Sequence, residues 1–389
     1  MKKKQFLGVV TICLTFLSVC LLSFLFMKYF GDENNNDDLN IEKPIVNNPV
    51  SEDAEQKSQA DEILRNMSLE EKVGQMFIAR CPDTDAVSKV SSYHIGGYIL
   101  FARDFSGKGK DEVERTIQSY QDEADIPIFV GVDEEGGIVN RISNYKSFRA
   151  TPFLSPQALY SKGGWPLITS DTIEKCNLLK EIGVNVNFAP VSDISTNKND
   201  YIYNRSFGKD AENTALYVKT VTKTMKQKRV ASVLKHFPGY GNNVDTHTGI
   251  SYDRRPYEQF LSSDFLPFRA GIEAGADIVL VSHNIVESMD SEYPASLSRK
   301  VHNILRTELG FSGVVVTDDL FMNAVKEFAG EEVVAVLAVQ AGNDLLCCTD
   351  FEVQIPAVIE AVRSGKISEK QIDESVIRIL NLKISLGLL

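Results

Sequence analysis

The sequence predicts an α/β chain built as a single (β/α)8 barrel of the TIM type, preceded by an N-terminal transmembrane helix and a polar linker. Three observations carry this reading. Eight short apolar runs alternate with amphipathic stretches over about 320 residues, a size within that fold's range. A long uncharged apolar segment follows three lysines at the N-terminus, and a polar stretch poor in large apolar residues separates it from the first run.

The N-terminal segment comes first. Lys2, Lys3 and Lys4 precede Phe6 to Met27, which as a helix would be about 33 Å long and able to cross a bilayer. The positive flank stays in the cytoplasm, which places the rest of the chain outside the cell. Residues 1–30 are thus expected to be a single-pass membrane anchor. A cleaved signal peptide would show a shorter apolar core and a small-residue cleavage site; a lipoprotein reading through Cys20 is weakened by the bulky Val19 beside it. Residues 31–60, rich in Asn, Asp, Glu, Lys and Ser, bury too little to offset the entropy of ordering them and read as a disordered linker. Residues 61–389 form the globular domain. Its first helix is signalled by the capping box Ser68-Leu69-Glu70-Glu71.

The eight runs are Val73 to Ala79, Gly97 to Phe101, Ile126 to Val132, Val184 to Phe188, Val230 to Leu234, Asp277 to Val281, Gly313 to Val316 and Asp344 to Cys347. Each is too short for an ordinary helix. Between them lie helix candidates at Asp111 to Glu123, Asp210 to Lys228, Glu258 to Glu273, Arg299 to Leu309 and Glu331 to Gln340, with a last one at Glu369 to Ile384. In the third, Leu261, Phe265, Phe268 and Ile272 recur as one helical face. A doubly wound open sheet is the alternative, but Gly136-Gly137 alone does not make a dinucleotide turn.

Composition narrows the function. With 43% hydrophobic and 24% charged residues the chain can bury a core, and a net charge of -12 argues against sequence-independent binding of nucleic acid. The six cysteines show no disulfide framework and read as small buried hydrophobes; no residue spacing implies a metal or another cofactor.

In a barrel, chemistry sits just past the strands. The third run ends in Asp133-Glu134-Glu135, the fifth in Lys235-His236, the sixth in Ser282-His283-Asn284 and the seventh in Thr317-Asp318-Asp319. Such a mouth suits a hydroxyl-rich substrate. Asp318 and Asp319, adjacent in an extended segment, are expected to point to opposite sides, one into the mouth and one capping the next helix. After the fifth run, a loop rich in turn formers holds Asp245 and His247 two residues apart. An Asp accepting from an imidazole fixes its tautomer and stabilises its charged form, as a proton-donating His requires.

The order Lys235-His236-Phe237-Pro238-Gly239, Asp245-Thr246-His247 and Val316-Thr317-Asp318-Asp319-Leu320 resembles the bacterial exo-β-N-acetylglucosaminidases of glycoside hydrolase family 3. The resemblance runs from about Ser68 to the C-terminus and includes Gly131-Val132-Asp133-Glu134-Glu135-Gly136-Gly137 and Asn204-Arg205-Ser206-Phe207-Gly208. It implies a retaining hydrolase of terminal β-linked N-acetylglucosamine, acting on cell-wall-derived glycans. Asp318 would be the nucleophile and His247, held by Asp245, the acid/base, while Asp133, Arg141, Arg205, Lys235 and His236 match positions that contact the sugar. Tyr240, where a second His is common, and Ile138, where an Arg is common, depart from the pattern, as does the apolar N-terminal segment. The competing readings are a β-glucosidase of the same family and a catalytically inactive, membrane-tethered glycan-binding protein.

Overall fold

The computed structural model describes residues 52–243, 249–329 and 334–389. Phe6 to Met27, the expected linker up to residue 51, and the pair Asp245 and His247 lie outside them. Among the described residues, no helix is long and apolar enough to cross a membrane.

Eight parallel strands form the sheet: β1 (Phe77–Arg80), β2 (Gly97–Leu100), β3 (Phe129–Val132), β4 (Val186–Asn187), β5 (Ala231–Phe237), β6 (Ile278–Val281), β7 (Val314–Thr317) and β8 (Leu346–Cys348). Each pairs with its sequence neighbours, and β8 pairs with β1 in the register Phe77 to Leu346. Between β7 and β8 a single parallel bridge joins Val316 to Leu345, so the sheet is a nearly closed barrel of the TIM type. A Cβ on Gly131 of β3 would lie 2.7 Å from the Phe188 ring, which shows how tightly the interior is filled.

All eight predicted runs contain a strand, but the first does not begin as one. Val73–Gln75 completes the helix Leu69–Gln75, whose capping box is made as read: Glu71 N donates to Ser68 Oγ (3.3 Å) and Ser68 N to Glu71 Oε2 (2.6 Å). The chain is also helical before residue 61. Glu52–Asn66 forms a helix packed on the terminal helix Glu369–Leu386, with Ala60 fully buried.

Other departures have identifiable local causes. Within the predicted helix Glu258 to Glu273, a π-helical turn at Phe260–Asp264 advances the chain differently from 3.6 residues per turn. Phe260 therefore turns into the core with Phe265 and Phe268, while Leu261 is exposed. The Pro156–Glu181 segment was not legible as helix: two helices meet at Gly164 (φ 60°, ψ -151°), and Gly163-Gly164-Trp165-Pro166 reads as a breaker. Cys81, Cys176, Cys347 and Cys348 are buried free thiols.

The barrel's N-terminal end is closed by buried charge. Lys383 of the last helix is fully buried, donates to Gln75 Oε1 (2.5 Å) and lies 5.0 Å from the centre of the Phe129 ring. Burial pushes its pKa down to about 7. Below that value the amine is protonated both folded and unfolded. Above it, up to the ordinary lysine value, only the unfolded chain holds the proton, so stability climbs with pH through this window. Lys383→Met is expected to flatten that climb by several degrees in Tm between about pH 6.5 and 9.5, measured by thermal unfolding. An unchanged slope would mean that another group carries it.

Candidate active site

The strand ends open on a pocket of about 540 Å³ lined by Asp133, Arg141, Arg205, Lys235, His236 and Asp318 among others. Six of the eight residues singled out from sequence thus meet in one cavity. The other two, Asp245 and His247, lie in the sequence just past β5, outside the described residues.

At its base lies a buried carboxylate that the sequence reading did not single out. Glu135, three residues past β3, receives Lys235 Nζ at 2.6 Å and Arg205 Nη2 and Nε at 2.8 and 3.0 Å. Burial alone would push its pKa up, but the two cations override that and hold the carboxyl well below the usual range. Lys235, itself buried, also donates to Asp133 Oδ1 at 2.7 Å, and Arg141 approaches Asp133 from the other side at 3.8 Å.

Glu134 was likewise missed. Its carboxylate accepts from the backbone N–H groups of Arg141, Ile142 and Ser143 at 2.7, 2.8 and 3.1 Å, which fixes the turn that carries Arg141. Asn187 of β4 clamps the same segment by exchanging hydrogen bonds with the backbone of Glu134.

His236 is held by Asp193, which follows β4. Asp193 Oδ2 lies 2.6 Å from His236 Nδ1 and also accepts from the backbone N–H of His236, while its Oδ1 accepts from Tyr240 N at 2.7 Å. With Nδ1 committed to a carboxylate, the ring presents Nε2 to the Arg205 side of the pocket, 3.3 Å from Nη2. A search past the fourth run, as past the third, fifth, sixth and seventh, would have found this acid.

The Asp318-Asp319 pair departs from expectation. Both line the pocket, because β7 ends at Thr317 and the alternation of a pleated strand no longer applies beyond it. Nor does Asp319 cap the following helix. It accepts from Thr349 Oγ1 (2.5 Å), Thr349 N (3.2 Å) and Phe321 N (3.0 Å), tying the turn to the end of β8. Burial raises its pKa above the ordinary aspartate value. His283 stands behind it as support, with Nε2 on the Asp319 carbonyl (3.1 Å) and Nδ1 on Ser296 Oγ (2.7 Å). The rim includes exposed Ile138, Tyr201 and Phe321.

Among the described residues, none in this pocket gather as a metal centre. Glu71, His94 and Asp125 do bring ligand atoms within 4.8 Å of one another, but they precede β1, β2 and β3 and so sit at the opposite end of the barrel.

Known proteins share this architecture. Beta-hexosaminidase LpqI of Mycobacterium tuberculosis is 29% identical over 330 residues, which cover 82% of this chain and 83% of that protein. Beta-hexosaminidase A of Pseudoalteromonas piscicida is 30% identical over 328 residues, 76% of this chain, although the match spans only 54% of that longer protein. A solved structure of a glycoside hydrolase family 3 beta-N-acetylglucosaminidase from Paenibacillus sp. superposes with a TM-score of 0.78 at 33% identity, covering 83% of this chain and 63% of that one. The N-terminal domain of glycosyl hydrolase family 3 matches residues 68–382, and the chain therefore belongs to that family.

Proposed function

We propose that the chain is a retaining exo-β-N-acetylglucosaminidase that removes terminal β-linked N-acetylglucosamine from cell-wall-derived glycans outside the cell, to which Phe6 to Met27 anchors it. The observation that carries the reading is the opposition within one pocket of Asp318, at the end of β7, and the Asp133, Lys235, Arg205 and His236 cluster at the ends of β3 to β5. Names of relatives on both the sequence and the structure side point to the same activity.

In this reading the cluster grips the hydroxyls of the terminal sugar and presents its anomeric carbon to Asp318. One Asp318 oxygen forms a bond to that carbon as the glycosidic C–O bond breaks. His247 gives its proton to the departing oxygen, and Asp245 stabilises the imidazolium before and the neutral tautomer after. Water then gives a proton back to His247 and adds to the same carbon, releasing Asp318. Two displacements at one centre retain the anomeric configuration.

Asp318→Asn is expected to lower kcat by at least about 1,000-fold, with Asp319→Asn costing mainly stability through the lost Thr349 contacts. Mass spectrometry after a slow 2-fluoro glycoside should place the label on Asp318. A label elsewhere, or an inverted product anomer, would overturn the mechanism.

The dyad has a sharper signature. A sugar alcohol needs protonation as it departs, whereas a dinitrophenolate does not. His247→Ala should lose about 100- to 10,000-fold on a disaccharide and far less on a dinitrophenyl glycoside, and Asp245→Ala should share that bias. Equal losses on the two substrates would make His247 a binding residue.

The anchor is tested by fractionation. The full chain should sediment with membranes and be cut by protease added to wall-stripped cells, and deletion of residues 1–30 should release it. Protection from protease would reverse the topology.

A further inference from the structure

Four cationic side chains in the pocket, together with His236, line the site, and all but one face an acid. Arg141 faces Asp133, Lys235 faces Asp133 and Glu135, Arg205 faces Glu135, and His236 faces Asp193. Arg80, the last residue of β1, has neither an ion pair nor a hydrogen bond among the described residues. Its guanidinium carbon lies 4.8 Å from the centre of the Phe101 ring, and its Nε is buried with no protein acceptor. The acid that feels its charge, Asp104, is spent on the backbone N–H of Phe101 at 2.7 Å. A guanidinium cannot shed its charge, and a buried donor left unmade is costly, so Arg80 lines the pocket with donor capacity that no described protein group uses.

The strand order says which part of a sugar arrives there. Around the barrel, β7 with Asp318 stands opposite β3 with Asp133, leaving two arcs between them. One arc is β4, β5 and β6, with Lys235 and His236 at its centre. The other is β8, β1 and β2, with Arg80 at its centre, paired in register with Ile99 and flanked by Cys347 and Phe101 in the pocket wall. A pyranose whose anomeric carbon meets Asp318 and whose far edge meets Asp133 shows two unlike edges to these arcs. The edge of C2 and C3 carries the polar substituents and suits the Lys235 and His236 arc. The remaining edge carries the ring oxygen and C6, acceptors beside methylene carbons, and suits one cation set among Ile99, Phe101 and Cys347.

We propose that Arg80 is a specificity-determining residue that donates to the C6 oxygen of the terminal sugar. This rests on the glycosidase reading above, and the test separates the two. Nitrophenyl β-N-acetylglucosaminide, its 6-deoxy analogue and nitrophenyl β-glucoside are compared on the full chain, on Arg80→Met and on Arg80→Lys. Turnover of the first substrate by the unaltered enzyme tests the glycosidase reading; the ratio between the first two tests the subsite.

The unaltered enzyme should prefer the 6-hydroxyl over the 6-deoxy sugar by about 10- to 100-fold in kcat/KM. Arg80→Met should abolish that preference by losing far more activity on the hydroxylated substrate than on the 6-deoxy sugar, and Arg80→Lys should restore part of it. Three results would overturn the proposal: an undiminished preference in Arg80→Met, equal losses on both sugars in both variants, or a collapse of the discrimination between acetamido and hydroxyl at C2 instead, which would put the acetamido group on Arg80.

Discussion

The site depends on one buried ionic contact, the Glu135 carboxylate between Lys235 and Arg205. Three elements contribute to it: the end of β3, the end of β5 and the loop that precedes the helix Ala211–Lys228. Leaving a buried charge without its partner costs on the order of 3–5 kcal/mol, so neither cation can leave this position cheaply once Glu135 is in place. The consequence runs outward. Lys235 is held against Asp133, Arg205 lies beside His236, and His236 is in turn fixed by Asp193. Asp133, Lys235, Arg205 and His236 are thereby oriented before any sugar arrives, and little of the binding energy has to go into ordering them.

The two ends of the barrel use the same residue types for different ends. At the N-terminal end, Asp344 accepts from Val315 N (2.8 Å), Arg306 (2.5 Å), Arg378 (2.9 Å) and Ser375 (3.0 Å), and Asp277 accepts from Lys226 (2.7 Å) and Ser232 N (3.1 Å). These buried carboxylates stitch helices to strand starts. At the C-terminal end, Asp133 and Asp318 border a cavity. What distinguishes the acids of the two ends is whether they border open space.

That difference also explains what could be read from the sequence. Strand positions were legible because apolar runs bounded by turn formers can bury themselves in only a few ways, and Asp133, Lys235, His236 and Asp318 followed because they stand at strand ends. Glu134 and Glu135 sit in the same run of letters as Asp133, yet nothing in their spacing tells that one caps a backbone turn and the other bridges two cations; the second depends on partners 70 and 100 residues away. Asp193 escaped because the end of β4 was not inspected. Leu261 was misplaced because a π-turn is invisible to a helical period, and Asp319 because a strand pattern was carried two residues too far. Arg80 could not be recognised from sequence at all, since what marks it is the lack of an acid.

The loop that carries the proposed proton donor is fastened on both sides of the span that holds it. The loop beyond β5 is fastened on its outgoing side, where Tyr240 N is held by Asp193, Gly239 O accepts from Arg255 (2.9 Å), and Asn243 donates to both Tyr240 O and Asp253 (2.8 Å each). On its return side Ser251 O accepts from Ile285 N (2.9 Å), and Tyr252–Asp253 pairs in parallel with Ile285–Val286. Asp245 and His247 belong to the short span between these fastenings. A short span between fixed ends costs little entropy to close, because that cost grows only slowly with loop length. Asp193, which holds both His236 and Tyr240, ties the start of this loop to a side chain proposed to contact the sugar, so the proposed donor and the proposed sugar contacts share one anchoring carboxylate.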